Sequence, residues 1–448
     1  MYSKLIPHLF RGGVHPADGK ALSCSEPIKT APLLDKYIVP LNQNIGAPPK
    51  LIVTKGQTVK KGQMIAEPGG FVSVPVHAPT SGTVGDIVEI PGVAGNVLQA
   101  VEIISDGADE WDTTLKPITN WRNTDREKLK KRIADAGLIG MGGAAFPTHV
   151  KLSPPPEKNI DTLILNGAEC EPYLTADHRL MLEHAAFVLE GASIAAKILK
   201  VNRIYVGIEK NKPDAIVAMN EASKKFNNVE IVPLRVRYPQ GGEKQLIYSI
   251  TGRAIATGGL PMDVGCVVLN VGTCAAIRDA VVLGHPLIER LTTITGTPVC
   301  HPGTWRVRIG TPASKALEFA GGVKEQPAKL IFGGPMMGFT QASLDVAVTK
   351  NTSGILLLKA SETSFYQSSP CIRCCRCIAV CPMRLLPGPL SVMIESEKYD
   401  LAEQNFVMDC MECGACTYVC PSKRPLVQHF RRAKAEILEL RRIANAKK

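Results

Sequence analysis

The sequence has no apolar run approaching the roughly 20 residues that a helix needs to cross a bilayer, so we expect no membrane-spanning helix. Its first residues also lack the apolar stretch of a secretory signal peptide. The expected compartment is therefore the cytosol. Aromatic residues make up only 5% of the chain. Because no series of them accompanies the basic residues, base stacking is not expected, and nucleic-acid binding ranks last among the candidate functions.

A chain of 448 residues is too long for one hydrophobic core, and two to four domains are expected. The formal net charge is +11, and much of it lies in the C-terminal tail. That tail could contact nucleic acid, anionic lipid or an acidic protein, or it could be a solvated helix end. Its basic residues, opposed only by Glu436 and Glu439, are Lys423, Arg424, Arg431, Arg432, Lys434, Arg441, Arg442, Lys447 and Lys448.

Fourteen cysteines are present, but a long chain without an export signal is not expected to use them as disulfides. Eight of them form two copies of the C-x2-C-x2-C-x3-C-P pattern by which bacterial ferredoxins hold a [4Fe–4S] cluster. The copies are Cys371, Cys374, Cys377 and Cys381, then Cys410, Cys413, Cys416 and Cys420. In two-cluster folds the fourth cysteine binds the other cluster. We therefore expect Cys420 to complete the first set and Cys381 to complete the second.

The other six cysteines are interpreted as small packing residues. They are Cys24, Cys170, Cys266, Cys274, Cys300 and Cys375.

Residues 35–110 predict short strands separated by turns. The phrases Val59–Ala66 and Ala78–Val84 are similar to the flattened β-sandwich of biotinyl and lipoyl carrier domains. Those domains attach their cofactor to a lysine at a hairpin tip, and the corresponding segment here, Glu67–Val76, contains no lysine. The similarity therefore favours the fold and argues against a carrier role.

Between about 120 and 285, strand and helix patterns alternate, which predicts a parallel sheet covered on both faces. A short β-rich unit with one helix is expected over 286–350, the cysteine motifs occupy 360–426, and a basic helix closes the chain over 427–448. Within the alternating region the predicted strands are Thr162–Asn166, Ile204–Ile208, Val229–Val236 and Cys266–Asn270, and the predicted helices are His178–Lys200, Asp214–Phe226, Glu243–Thr251 and Thr273–Leu283.

A glycine-rich loop lies between Gly137 and Thr148, with Lys151 just beyond it. Glycine lets a backbone approach a phosphate and present its N–H groups, and a nearby lysine can meet the phosphate charge. Turns also use glycine for steric reasons alone. The spacing differs from the dinucleotide-binding fingerprint and no good strand precedes the loop, so an ordinary Rossmann loop is not predicted.

Polar residues close two predicted strands, at Asn166 and at Asn270. Ligands of open α/β sheets bind at the carboxyl ends of strands. The loop from Tyr238 to Lys244 precedes a helix whose N-terminus would attract an anion. Each feature alone fits turn and capping chemistry, but together, beside two iron–sulfur motifs, they predict a cofactor site.

Three segments carry a resemblance to known families. They are Gly140–Lys151, Asn166–Pro172 and Asn270–Thr273, and they are similar to the flavin-binding subunit of respiratory complex I. With Phe10–Pro16, the carrier-like region and the paired cysteine motifs, nearly the whole chain resembles the C subunit of Rnf complexes, which are ion-translocating ferredoxin:NAD oxidoreductases.

The resemblance implies a multidomain α/β protein. Its expected parts are an N-terminal segment (1–34), a carrier-like β-sandwich (35–110), a parallel α/β flavin domain (120–285), a β-grasp ligand-binding domain (286–350), a two-cluster ferredoxin-like α-helical domain (360–426) and the basic helix (427–448).

The resemblance also implies the site residues for FMN and NAD(H). Two glutamates, Glu169 and Glu243, are the implied catalytic residues, beside the flavin where the nicotinamide nucleotide docks. The implied cofactor-binding residues are Gly140, Gly142, Gly143, Phe146, Lys151, Asn166, Glu169, Glu243, Asn270 and Thr273. The complex I pattern has Asp at the position of Ala168 and a pair of glutamates at Glu243-Lys244, so the nucleotide contacts depart from it.

The implied function is hydride exchange between NAD(H) and FMN, then one-electron transfer through two [4Fe–4S] clusters. Implied partners are other subunits of a membrane complex and, indirectly, ferredoxin, with the chain peripheral on the cytoplasmic face. Two alternatives are a flavin and iron–sulfur protein like cobalamin reductase and a pure electron conduit without a nucleotide site.

Overall fold

The computed structural model describes residues 7–363 and 367–446. Within those two stretches, no helix is both long enough and apolar enough to cross a bilayer. The predicted end residues Lys447 and Lys448 lie outside the described part of the chain.

The N-terminal part of the chain is built mainly from antiparallel strands. Its elements are β1 (Lys29–Thr30), β2 (Lys36–Pro40), β3 (Lys50–Leu51), β4 (Thr58–Val59), β5 (Met64–Glu67), β6 (Val76–His77), β7 (Gly82–Pro91) and β8 (Val97–Ser105), with a 3₁₀ turn at Lys20–Leu22. Two sheets, in the orders β2-β8-β7-β4 and β3-β5-β6, pack over buried Val, Ile and Ala side chains. The strand-and-turn pattern of residues 35–110 therefore does form β-structure.

The middle of the chain forms a four-stranded parallel sheet in the order β11-β10-β9-β12, as the alternating pattern predicts. Helices cover both faces, and the two strands β9 and β12 are almost wholly buried. The elements are α1 (Arg126–Asp135), α2 (Thr148–Lys151), β9 (Thr162–Asn166), α3 (Ala176–Glu183), α4 (Ala185–Leu199), β10 (Ile204–Glu209), α5 (Pro213–Ser223), β11 (Val229–Leu234), α6 (Glu243–Thr251), β12 (Cys266–Asn270) and α7 (Val271–Arg278), with 3₁₀ turns at Trp121–Asn123 and Pro261–Val264.

The single helix predicted over His178–Lys200 is wrong, because the helix breaks at His184 into α3 and α4. His184 has φ −133° and ψ 32°, outside the helical region. Apolar residues of both helices face one core, so the periodicity runs on through the break. The helix predicted over Thr273–Leu283 likewise ends at Arg278 and continues as one π-helical turn, Asp279–Leu283.

A six-stranded mixed sheet in the order β1-β14-β13-β17-β15-β16 follows the parallel sheet. Its edge strand β1 comes from the N-terminal segment, and β17 lies beyond the expected limit at residue 350. Its other elements are β13 (Glu289–Thr295), β14 (Gly303–Arg308), α8 (Ala313–Phe319), β15 (Lys329–Phe332), β16 (Phe339–Gln341) and β17 (Gly354–Leu358), with a 3₁₀ turn at Ala360–Glu362.

The cysteine motifs lie among short helices. These are α9 (Arg376–Val380), α10 (Pro387–Glu395), α11 (Tyr399–Gln404), α12 (Ala415–Val419) and α13 (Leu426–Ala446), with a 3₁₀ turn at Val407–Asp409. Leu426, Phe430 and Ile437 of α13 are buried in one core with α10 and α11. The basic helix is therefore an integral part of this unit rather than a separate tail.

Candidate site at the strand ends and the cysteine motifs

The carboxyl ends of β9 and β12 lie side by side, with Asn166 and Asn270 paired in register. Asn270 caps α7, since its Oδ1 accepts from Gly272 N at 2.8 Å. Asn166 donates through Nδ2 to Gly241 O at 2.8 Å. This edge of the sheet therefore joins the start of α7 to the glycine pair that precedes α6.

The glycine-rich loop is anchored on the same edge, because Met141 N donates to Thr273 Oγ1 at 2.9 Å. The loop closes on itself where Gly140 N donates to Phe146 O at 2.8 Å. Gly142 and Gly143 are exposed at its crest. A Cβ at Gly143 would meet nothing within 4 Å, and its φ of +115° favours glycine. Open backbone beside the N-terminus of α7 fits the phosphate group of a flavin nucleotide.

Lys151 and Glu243 form an ion pair at 2.6 Å beside the loop. Lys151 Nζ also donates to Val268 O on β12 at 3.2 Å. Glu243, the first residue of α6, retains 38% of its side-chain exposure. The structure thus brings a predicted phosphate ligand and a predicted nucleotide contact into direct contact with each other.

Glu169 is placed differently from Glu243, since its side chain is only 5% exposed. Its carboxylate accepts from the backbone N–H of Asp177 at 2.7 Å and of His178 at 3.2 Å, at the start of α3. Burial raises the pKa of Glu169 to about 7, against the lowering influence of Lys20. Glu169 therefore holds α3 against the strand end, and its catalytic role stays a prediction.

Three charged residues near this site were missed by sequence reasoning. Asp177 accepts from Asn270 Nδ2 at 2.6 Å. Arg290, on β13, donates to Met141 O at 2.8 Å and is 4% exposed. Lys212 donates to Ala168 O at 2.7 Å and is 1% exposed. Only Asp177 carried a sequence signal, a short polar side chain just before a helical pattern; the other two come from distant segments.

The tip of the N-terminal β-structure also reaches this loop. Ile45 N donates to Ala145 O at 3.2 Å, and Phe71 O lies 3.0 Å from the His149 ring nitrogen Nε2. The Phe71 side chain is 68% exposed. The segments around Ile45 and Phe71 therefore lie against the glycine-rich loop and the start of α2.

The second cysteine set converges in one cavity, lined by Cys381, Cys410, Cys413 and Cys416. Cys381, the last cysteine of the first motif, thus lies among the first three cysteines of the second, as the crossed arrangement predicts. Burial raises the pKa of the Cys410 thiol to about 11 and that of Cys413 to about 12. A thiolate is unfavourable in this cavity unless a bound cation compensates its charge. The four cysteines therefore suit a site in which their sulfur atoms bind iron.

The first cysteine set lies at the surface. Cys371 and Cys374 are exposed. A Cβ at Gly388 would lie 3.6 Å from Cys377 Sγ and 4.0 Å from Cys371 Sγ, so these two thiols face the same point on α10. Burial raises the pKa of Cys377, with a smaller contribution from nearby Cys420. The thiols of Cys371, Cys377 and Cys420 therefore lie close together.

The buried cysteine set contacts the parallel-sheet unit directly. Tyr238 Oη donates to Cys413 O at 2.6 Å. Gln245, on α6, lies 3.4 Å from Pro382 O. The N-terminal segment adds a third contact, from Gly13 N to Val380 O at 2.7 Å. The buried set thus adjoins the helix that begins at Glu243.

Family models match four consecutive parts of the chain. They are described as the RnfC barrel sandwich hybrid domain over residues 8–108, the Nuo51 FMN-binding domain over 133–279, the SLBB domain over 291–340 and the 4Fe-4S dicluster domain over 364–421.

Solved structures of the NAD+-reducing [NiFe]-hydrogenase share the fold at 18% identity. In the H2-reduced state the TM-score is 0.50, covering 74% of this chain and 69% of that chain. In the air-oxidized state the TM-score is 0.51, covering 71% and 64%. A multidomain α/β architecture of this kind is therefore shared beyond close relatives.

Curated relatives match nearly the whole chain. The C subunit of the proton-translocating ferredoxin:NAD(+) oxidoreductase complex of Clostridium ljungdahlii is 50% identical over 95% of this chain and 93% of its own length. The C subunit of the Na(+)-translocating complex of Acetobacterium woodii is 45% identical over 97% and 98%. The C subunit of the ion-translocating oxidoreductase complex of Pseudomonas aeruginosa is 46% identical over 97% of this chain, which spans only 56% of it. By these matches the chain belongs to the RnfC family, the C subunits of ion-translocating ferredoxin:NAD(+) oxidoreductase complexes.

Proposed function

We propose that this chain is the NAD(H)-reactive flavin and iron–sulfur subunit of an ion-translocating ferredoxin:NAD oxidoreductase. The observation that carries the proposal is the contact between the two sites: the buried cysteine set adjoins the loop and helix that frame the flavin site, through Tyr238 and Gln245. FMN, when bound, exchanges a hydride with nicotinamide and single electrons with iron–sulfur centres. The protein supplies position, electrostatics and exclusion of water.

The glycine-rich loop and α7 hold the FMN in this proposal. Backbone N–H groups around Gly142 and Gly143 would bind the phosphate, and Asn166 and Asn270 at the strand ends would contact the flavin. Phe146 and Thr273 shape the loop itself, since both accept hydrogen bonds from it. Lys151 adds positive charge at this edge.

The nicotinamide nucleotide enters beside Glu243 in this proposal, because that carboxylate is the more exposed of the two predicted glutamates. Lys151 fixes the position of the Glu243 carboxylate through their ion pair. Glu169 contributes by holding α3, and through Asp177 it orients Asn270.

Two [4Fe–4S] clusters complete the pathway. Cys381, Cys410, Cys413 and Cys416 hold the one beside the flavin site, since they line one cavity next to α6. Cys371, Cys374, Cys377 and Cys420 hold the other, nearer the surface. With both clusters bound, the two cysteine sets would provide a one-electron path between the flavin site and the surface.

The finer architecture belongs to the proposal. We assign a carrier-like β-sandwich to 35–110, the FMN and NADH domain to 120–285, a β-grasp domain to 286–350, a ferredoxin-like domain to 360–426 and a basic helix to 427–448, after an N-terminal segment at 1–34. The mixed sheet with one helix supports the β-grasp assignment, and the paired short helices around each cysteine motif support the ferredoxin-like one.

The proposed location is the cytoplasmic face of the cell membrane, held by other subunits of the complex and serving ferredoxin indirectly. The relatives' names, which describe subunits of translocating complexes, support it. Leu438, Leu440 and Ile443 support it further, since they are exposed apolar side chains near the end of α13.

Anaerobic titration of the reconstituted full chain with NADH tests the function. We expect NADH to bleach the flavin absorbance and then the iron–sulfur absorbance. Glu243→Gln should raise the KM for NADH with FMN content unchanged, and Glu221→Gln, an exposed carboxyl on α5, is the matched control. Intact iron–sulfur absorbance without any flavin would instead identify a pure electron conduit.

A further inference from the structure

The two cysteine sets differ sharply in exposure. Cys413 and Cys416 are buried, whereas Cys371 and Cys374 are exposed. All six residues from Cys371 to Arg376 are exposed. Because the buried set adjoins the flavin site, the exposed set is the end of the pathway that a second redox protein can approach.

The surface around the exposed set is positively charged. Arg373, Arg376 and Arg384 are all exposed. The sequence contains no Asp or Glu from Gln367 to Ile394. Within residues 7–363 and 367–446, none of the three arginines forms an ion pair, so their charge is not neutralised there by the chain itself.

The basic residues of α13 behave differently, because acidic side chains of the same unit pair with them. The Glu412 carboxylate forms ion pairs with Arg431 and with Lys434, each at 2.9 Å. The remaining pairs on the helix are Arg432 with Glu397, Arg441 with Glu403 and Arg442 with Glu439, and Arg424, just before the helix, pairs with Glu395. The arginines of the first cysteine motif therefore differ from the basic residues of the terminal helix, most of which are paired with acidic side chains.

Two large exposed apolar side chains belong to segments that adjoin the thiols of the exposed set: Ile372 follows Cys371, and Leu386 lies two residues before Gly388, which faces Cys371 and Cys377. Ile372 is 66% exposed and Leu386 is 46% exposed. Apolar contacts surrounded by charged groups are typical of transient protein interfaces, in which charge steers the approach.

We propose that Ile372, Arg373, Arg376 and Leu386 form a docking surface for an acidic redox protein. This inference rests on the proposed function and names the partner chemistry at its exposed end. In the reductive direction, one electron passes from the partner's reduced centre to the site held by Cys371, Cys374, Cys377 and Cys420; no bond forms or breaks. Anionic lipid would also attract the arginines, but it would leave the exposed cysteines without a redox role.

A small acidic [2Fe–2S] ferredoxin, chemically reduced, serves as the probe. Mixed with the oxidised holoprotein in a stopped-flow instrument, it should bleach the protein's iron–sulfur absorbance. The second-order rate constant should fall by about 10-fold or more between about 20 and about 200 mM salt, because screening removes the steering. A rate constant that does not fall with salt overturns the proposal without any variant.

Charge reversal tests the named arginines. Arg373→Glu/Arg376→Glu should lower the rate constant at low salt by about 10-fold or more and flatten its salt dependence. Lys224→Glu/Lys225→Glu changes the net charge equally at the end of α5, on two exposed lysines, and should stay within about twofold. The neutral variant Arg373→Gln/Arg376→Gln, expected to be intermediate, gives a second test if the reversal harms folding.

Two further measurements separate the alternatives. If the arginines only neutralise the nearby cluster, their reversal would shift its midpoint potential or remove its EPR signal while leaving the salt dependence intact, and the docking surface would be wrong. If reversal weakens sedimentation with phosphatidylserine vesicles but not the ferredoxin reaction, the surface contacts lipid and the proposal is overturned. NADH bleaching of the flavin should survive in every variant; its absence in the wild type would instead refute the proposed function.

Discussion

Gly12 illustrates at the scale of one residue how backbone contact can place a metal ligand. Its φ is +78°, and a Cβ there would lie 2.7 Å from the carbonyl oxygens of Cys381 and Val380. That distance is shorter than real Cβ contacts, so a side chain would push the Cys381 backbone away. The glycine therefore lets the N-terminal segment press against the crossing ligand of the buried cysteine set.

Gly12→Ala should damage only the buried cluster. We expect iron content and EPR spin to fall by up to about half, as one of two clusters is lost or perturbed. Gly95→Ala is the matched control, because Gly95 has a similar φ of +84° but meets nothing within 4 Å. Equal losses in both variants would show that backbone strain, not the contact with Cys381, is responsible.

Burial of Glu171 makes the stability of the folded protein depend on pH. Burial raises its pKa to about 7 from an ordinary 4.5, although Met336 N and Tyr238 Oη hydrogen-bond to it. The folded protein thus holds this proton more tightly than the unfolded chain. Its contribution to stability is full below pH 4.5 and is lost as the pH rises through about 7.

Glu171→Gln should remove that part of the pH dependence. Between about pH 5 and 8, the wild type should lose on the order of 3 kcal/mol of stability that the variant does not lose. Thermal unfolding followed at several pH values measures the difference between the two proteins. Parallel pH profiles would mean that Glu171 is not protonated in the folded state.

At the scale of the element, α13 contacts different surroundings in the structure from those that its sequence pattern suggests. Its spacing of Phe430, Ile437, Leu438, Leu440 and Ile443 suggests one apolar face for lipid or a partner. In the structure, Phe430 and Ile437 are buried in the core of the cluster unit, and only the other three are exposed. Lys434 also donates to Cys410 O at 2.5 Å, which ties the helix to the buried cysteine set.

Truncation and point substitution should therefore separate the two parts of α13. Deleting residues 440–448 should leave the iron–sulfur absorbance intact, because the ion pairs lost are exposed and contribute little. Phe430→Ala should cost about 3–5 kcal/mol and reduce cluster content, since its side chain is 1% exposed. Visible absorbance per protein measures both. Loss of absorbance in the truncated chain would show that the last turns support the cluster unit as well.

The elements predicted best are those decided by local pattern. Strands Thr162–Asn166 and Cys266–Asn270 and helix Glu243–Thr251 match the structure residue for residue. The break at His184 was not predictable from periodicity, because both helices bury their apolar faces in the same core. The bounds of two-residue strands such as β3 are not predictable, since pairings this short leave almost no sequence pattern.

At the scale of the whole molecule, a few charged side chains join units that are distant in sequence. Arg308, on β14, forms two hydrogen bonds with Asp109 and donates to Pro79 O at 2.8 Å. Lys61 reaches the same carboxylate at 2.7 Å. These contacts hold the N-terminal β-structure against the six-stranded sheet.

Arg308→Met should loosen this junction. We expect hydrogen exchange of β7 and β14 amides to quicken by about 5- to 100-fold, corresponding to about 1–3 kcal/mol. Arg306→Met, on the same strand, removes a more exposed ion pair with Glu289 and should change exchange little. Similar acceleration in both variants would mean that the strand, rather than the junction, responds.

The sequence alone determined the chemistry. Cysteine spacing specifies cluster ligands, and alternating periodicity with polar strand ends specifies a parallel sheet with a site at its edge. Both signals can be read from sequence because they act over a few residues. Tertiary structure decided which cysteine set is buried against the flavin site and which faces outward. It also brought Lys212 and Arg290 to the strand ends and paired the charges of α13, whereas Arg373 and Arg376 form no ion pair within the described part of the chain. Burial and charge compensation depend on contacts between residues far apart in sequence, which no local pattern records.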